Sequence, residues 1–251
     1  MREVNIKRFF EPFLWFLGLL IVWEILVKML SVPIFILPAP SNFLLRIVDD
    51  YQRIGYHSFA SIRLIIFGFV MGVIPGIFLG YLIAKFRLAE QILYPLVIFI
   101  QGLPKITLAP LMLVWFGFSD FPKILLTALI TFFPILVDST TGFKSIDSRQ
   151  YYLSKSIGAS WWQTFRNFEL PSAAPSIFSG LKITIVVAVT VVIVVEWMNS
   201  QNGLGYLVLR AMDGTDITLL FAVLVIGSMI GVVFSWFIEI LERILLPWKH
   251  Y

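Results

Sequence analysis

The chain has 251 residues, 59% of them hydrophobic and 14% charged, and a mean hydropathy of +0.91, a balance that excludes an ordinary water-soluble domain. It contains no cysteine, which excludes disulfides and thiolate metal sites, and only two histidines; with no HExxH, GxSxG or GxxxxGK[ST] pattern, no hydrolase, nucleotide-binding or metal motif is recognisable. The net charge of +4 sits in short basic runs at the ends of apolar segments, which suits membrane orientation and not nucleic-acid binding.

Six apolar spans follow in order. After Arg2, Lys7 and Arg8, the first covers about 13–30; Glu24 and Lys28 inside it are spaced for a helical ion pair, serving as an internal pair or lining a transport path. Residues 31–60 read as a loop in which Ser41 caps a short amphipathic helix reaching about Tyr51. The second span, about 61–84, carries Gly68, Gly72, Gly76 and Gly80 at four-residue spacing, a smooth ridge for close helix packing, with a kink predicted at Pro75. The third, about 88–117, is too long for one straight crossing and is broken by Gly102, Pro104 and Pro110. Its polar groups Gln101, Lys105 and Thr107 line a cavity or satisfy a packing kink.

The fourth span, about 121–142, contains Pro134 and leads into 147–175, the one long polar stretch. There Asp147 with Gln150, and Ser160 with Gln163, predict two helices opened by capping boxes, with Gly158 between them. The second helix shows Trp161, Phe165 and Phe168 as an apolar stripe and is expected to end at Leu170-Pro171. The fifth span, about 176–198, includes the β-branched run 185–195, where propensity favours strand; the bilayer overrules it, because a lone strand leaves its backbone polar groups unsatisfied in lipid. Glu196 and Trp197 close that span at the interface, and 199–215 reads as a loop turning at Gly203-Leu204-Gly205-Tyr206. The sixth span, about 216–241, has Gly227, Gly231 and Ser235 as another close-packing face.

Six spans put both termini on one side. Placing that side in the cytoplasm gathers Arg2, Lys7, Arg8, Lys85, Arg87, Lys144, Arg149, Lys155, Arg166, Arg243 and Lys249 inside, against Arg46, Arg53 and Arg210 outside. The polar insert then faces the cytosol, and one membrane domain covers 1–251.

Gly158, nine residues, then Phe168-Glu169-Leu170-Pro171 resembles the second half of the signature loop of bacterial ABC-importer permeases: Glu-Ala-Ala, three residues, Gly, nine residues, Ile, one residue, Leu-Pro. The Glu-Ala-Ala positions fall here on Tyr152, Leu153 and Ser154, and Phe168 stands at the Ile position. Leu37-Pro38-Ala39-Pro40-Ser41, Gly117-Phe118, Gly158-Ala159-Ser160-Trp161-Trp162 and Gly203-Leu204-Gly205-Tyr206 extend the likeness to the nitrate/sulfonate/taurine branch, which includes carriers of thiamine-precursor pyrimidine and riboflavin.

The resemblance implies an all-α permease in a bacterial inner membrane, with a coupling insert between its fourth and fifth spans. It implies a dimer, a cytosolic ATPase binding ATP and magnesium, and an extracytoplasmic solute-binding protein. The coupling residues would be Tyr152, Leu153, Ser154, Gly158, Ala159, Trp161, Phe165, Phe168, Leu170 and Pro171, and Gln101, Lys105, Thr107 and Glu196 are candidates for the substrate path. Pro104-Lys105 and Trp115-Phe116-Gly117-Phe118 resemble the carriers of heterocyclic vitamins or their precursors; sulfonate, taurine or nitrate is the alternative solute. A channel or secondary transporter would instead use Glu24, Lys105, Lys182, Glu196 or Glu239 as relays, and an intramembrane enzyme would need a nucleophile and base that the sequence does not offer.

Overall fold

The computed structural model describes residues 6–250, and the side chains of 6–13, 199, 249 and 250 fall outside that description, as do those of the expected inward cations Arg2, Lys7, Arg8 and Lys249. All regular structure among the described residues is helical. The helices are α1 (Ile6–Met29), α2 (Pro40–Asp49), α3 (Tyr51–Lys85), α4 (Arg87–Gln101), α5 (Ala109–Phe116), α6 (Asp120–Lys144), α7 (Ser148–Ser156), α8 (Trp161–Thr164), α9 (Leu170–Asn199), α10 (Leu204–Asp213) and α11 (Ile217–Leu245). By length and composition, α3, α6, the continuous stretch Trp161–Met198 and α11 can each cross a membrane, and α4 with Lys105–Phe116, bent by 81° at the break, is a broken span or a re-entrant loop. The β-branched run 185–195 is helical within α9, as backbone satisfaction in lipid requires.

α6 is the centre of the bundle, packed between α3 and α9. The α3 ridge lies along the line of closest approach. A Cβ added to Gly68 would stand 2.6 Å from Thr127 Cβ, and one on Gly80 would stand 2.8 Å from Ser139 Cβ. Gly72 faces Thr131 and the Ala128 carbonyl, and Gly76 faces Ile135, so four-residue steps on one helix meet four-residue steps on the other. On the α11 side the fit is looser. A Cβ added to Gly227 would stand 2.7 Å from Ile193 Cδ1, but one added to Gly231 would make only an ordinary contact of 3.9 Å to Val186. Both line an open apolar groove of about 970 Å³ between α9 and α11, so the expected close-packing face is tight at one glycine only.

Three boundaries differ from the sequence expectations. Ser41 does not cap α2: the Ala39 N–H donates to Asn42 Oδ1 at 3.1 Å, while Ser41 gives its own N–H (3.0 Å) and hydroxyl (2.8 Å) to Glu24, which also pairs with Lys28 at 2.6 Å. Residues 51–60 are the first turns of α3 and not a loop; the polar side chains of His57 and the following Ser61 bond another segment, as described below. Residues 204–213 are likewise helical, with Leu204, Leu207 and Ala211 on the buried face. Helices α3 and α6 run through Pro75 and Pro134 without interruption.

Candidate functional site

The insert folds from its caps outward. Asp147 accepts the Arg149 N–H at 2.9 Å and opens α7, but no reciprocal box forms, because Gln150 Oε1 instead accepts the Ser172 hydroxyl at 3.0 Å and ties α7 to the start of α9. At the other end the Gly158 N–H reaches Lys155 O and the Ala159 N–H reaches Ser154 O, both at 3.0 Å. This closure needs a left-handed residue, and Gly158 supplies it with φ +68°. Ser160 and Gln163 then form the expected box, with the Gln163 N–H on Ser160 Oγ at 3.3 Å and the Ser160 N–H on Gln163 Oε1 at 2.8 Å.

The helix does not end at Leu170-Pro171. A π-helical segment, Phe165–Glu169, carries α8 directly into α9. Its wider turn, with the Leu170 N–H reaching Phe165 O, makes room for Pro171, which has no N–H to give and whose ring would crowd a normal α-turn. Burial is graded along the predicted stripe. Trp161 and Trp162 are 60% and 57% exposed, whereas Phe165 and Phe168 are half-buried. Phe165 stacks on both tryptophans (centroids 5.9 and 5.7 Å) and packs below against Phe143 (6.4 Å) and the edge of Tyr81 (5.1 Å). Tyr152, Leu153 and Ile157 add exposed apolar surface, Leu170 is partly exposed, and Ser154 is buried with its hydroxyl on Tyr151 O. The insert thus presents an aromatic and aliphatic patch seated on a packed aromatic base.

Beneath that base, Glu169 is 4% exposed and forms an ion pair with Lys85, while the Tyr81 hydroxyl donates to its other oxygen at 3.1 Å. Lys85 also lies over the Tyr151 ring at 5.6 Å. Sequence reasoning missed this cluster, although a Glu between Phe168 and Leu170, and a Lys and a Tyr four residues apart on α3, were visible signals.

The substrate-path candidates separate. Gln101, Lys105 and Thr107 meet at the break between α4 and α5, where Lys105 Nζ donates to Gln101 O at 2.8 Å and the Thr107 hydroxyl to Pro104 O at 2.6 Å. The Gln101 carbonyl at the break is thus taken up by a side chain, and the Pro104 carbonyl by both the N–H and the hydroxyl of Thr107. Lys105 also lies over the Phe133 ring at 5.0 Å.

Glu196 lies elsewhere and is fully buried in the protein, accepting the Ser61 hydroxyl (2.7 Å) and the Gly205 N–H (3.0 Å). The Leu204 N–H donates to Ser61 Oγ at 2.8 Å and the Gly203 N–H to His57 Nδ1 at 3.1 Å. These three side chains satisfy the open amides of α10, and a carboxylate suits that end of a helix. Gly203, at φ +108°, and Gly205 are required because a Cβ on either would strike Glu196. The cluster borders a polar cavity of about 700 Å³, lined also by Arg63, Asp120, Lys123 and Ser200. Arg63 and Lys123 pair there with Asp120 at 2.5 and 3.2 Å. Replacing Glu196 with Ala strands two buried donors and is expected to lower stability by about 2 kcal/mol, read as a fall in the thermal unfolding midpoint of the detergent-purified protein; Glu196→Gln, which keeps an acceptor, should lose less.

The match to known proteins covers the whole arrangement. Residues 72–247 fit the model of the binding-protein-dependent transport system inner membrane component. The chain is 36% identical to the formylaminopyrimidine transport permease protein ThiX of Halalkalibacterium halodurans, over 95% of this chain and 96% of the relative. It is 28% identical to the putative aliphatic sulfonates transport permease protein SsuC of Bacillus subtilis, over 94% and 88%. The fold is similar to a chain of the MetNI methionine ABC transporter in inward-facing conformations, with TM-score 0.64 and 18% identity over 77% of this chain and 94% of that one. With a family model matched over most of its length and a relative this similar end to end, the chain belongs to the inner membrane components of binding-protein-dependent transport systems, the permease subunits of ABC importers.

Proposed function

We propose that this permease carries a small heterocyclic solute inward, of the formylaminopyrimidine or riboflavin kind, between two copies of the chain. α1 supplies the sixth span, both termini and the insert lie in the cytoplasm, and the membrane is the bacterial inner membrane. A cytosolic ATPase, holding ATP and magnesium, docks on Tyr152, Leu153, Trp161 and Trp162, and an extracytoplasmic binding protein delivers the solute. The observation that carries the docking reading is the exposed tryptophan pair, on a capped, rigidly seated insert at the end of the bundle where Lys85, Arg87, Lys144, Arg149, Lys155, Arg166 and Arg243 collect. Identity to the formylaminopyrimidine permease over nearly the full chain favours a heterocycle over a sulfonate.

The test is reconstitution in proteoliposomes with its partner ATPase and binding protein, followed by uptake of labelled formylaminopyrimidine, riboflavin and taurine. ATP-dependent uptake of either heterocycle is the expected result. Uptake of taurine alone would replace the solute assignment, and uptake without the ATPase would turn the reading into a secondary transporter or channel.

A further inference from the structure

The insert is joined to the bundle in two ways. One is covalent, at its two chain ends, from α6 through residues 145–147 and through the π segment into α9. The other is the buried carboxylate of Glu169, whose two partners, Lys85 and Tyr81, both come from the last turns of α3. A buried carboxylate is costly unless paired and hydrogen-bonded, so a residue of this kind between apolar neighbours marks a site where the pairing matters. Phe165, one turn earlier on the same segment, packs on the Tyr81 ring at 5.1 Å and beneath both tryptophans. The α3 that receives these contacts is fused to α6 along its glycine ridge, where no backbone slack remains. The residue between the aromatic and Leu-Pro of the loop has no role in the spacing that identifies it.

We propose that Glu169, clamped by Lys85 and Tyr81, is a positioning residue that fixes the tryptophan patch to α3, so that displacement of the insert moves the α3–α6 pair together with α9. Without the clamp, motion enters chiefly at the chain ends, into α6 and, through the π segment, a turn type that often marks functional sites in helices, into α9. Two separately anchored ends make the insert a lever with a defined axis, and rigid packed elements of this kind carry coupling between distant sites. The inference rests on the reading that an ATPase docks on this patch.

The experiment uses the complete transporter in proteoliposomes and measures ATPase retention, ATP hydrolysis and solute uptake for wild type, Glu169→Gln, and the reversed pair Lys85→Glu with Glu169→Lys. Glu169→Gln should retain the ATPase and hydrolyse ATP, while solute moved per ATP falls by roughly five- to tenfold, the scale of a coupling carried through packed networks. The reversed pair should recover most of that ratio. An unchanged ratio in Glu169→Gln overturns the proposal, as does a reversed pair no better than the single variant. Loss of ATPase retention together with a lowered unfolding midpoint in Glu169→Gln also overturns it, by assigning the clamp to folding alone. If the wild-type protein itself fails to retain the ATPase, the docking reading falls, and this inference with it.

Discussion

Replacing Trp161 and Trp162 together with alanine is expected to detach the ATPase and abolish uptake while leaving the permease folded. Both indoles stand largely in solvent, so their removal takes little from the bundle core. Both stack on Phe165, which is held from below by Tyr81 and Phe143, so they are presented as rigid, pre-ordered anchors. Tryptophans in such settings are common binding hot spots, each worth about 2 kcal/mol or more on truncation, and the pair should weaken ATPase binding by roughly 100- to 1000-fold. Co-purification and titration of the ATPase in detergent measure this directly. Phe165→Ala is the informative contrast: it empties a packed aromatic base and is expected to lower the unfolding midpoint as well as docking. A double tryptophan variant that binds the ATPase like the wild type would remove this surface from the mechanism.

How legible the site was depends on whether its residues act locally. Gly158, Ser160 and Gln163 could be read because a left-handed closure and a capping box are completed within a few residues of chain. The glycine ridge of α3 was legible for the same reason, since four-residue spacing is a property of one helix. Trp161 and Phe165 stack at the i,i+4 spacing that the stripe assumes, and the π segment, which the spacing does not reveal, starts only at Phe165. Long-range pairings stayed hidden. Residues 51–60 looked like a loop, and the buried bonds of Glu196 did not show, because the partners lie far away in sequence or across a turn. The Glu169–Lys85 pair, separated by more than three helices, was hidden in the same way. Composition and the positive residues indicate which end of the bundle bears the insert, but only three-dimensional packing ties the insert to α3.

Substituting Gly72 with leucine should be the most damaging single change in the membrane core. Between helices in lipid, association draws on close contact and not on removal of apolar surface from water, so backbone proximity is the resource that the α3–α6 pair uses. At Gly72 an added Cβ alone would stand 2.5 Å from the Ala128 carbonyl oxygen and would also strike the Thr131 hydroxyl. That hydroxyl cannot swing aside freely, because it donates to Thr127 O at 2.8 Å and Ala128 O at 3.1 Å, and the carbonyl is backbone. The helices must therefore separate, which also opens the neighbouring contacts at Gly68 and Gly76. Overpacking a tight interior costs about 1–3 kcal/mol, and a rigid backbone neighbour places this site at the top of that range or above it. Gly55, which has open space around it on the same helix, is the matched control: Gly55→Ala should be neutral or stabilising by up to about 1 kcal/mol from helix propensity. Thermal unfolding of the two variants in detergent should show a large drop for Gly72→Leu and none for Gly55→Ala. Equal behaviour would mean that the α3–α6 seam can relax, and a seam that relaxes could not move α3 and α6 as one body when the insert is displaced.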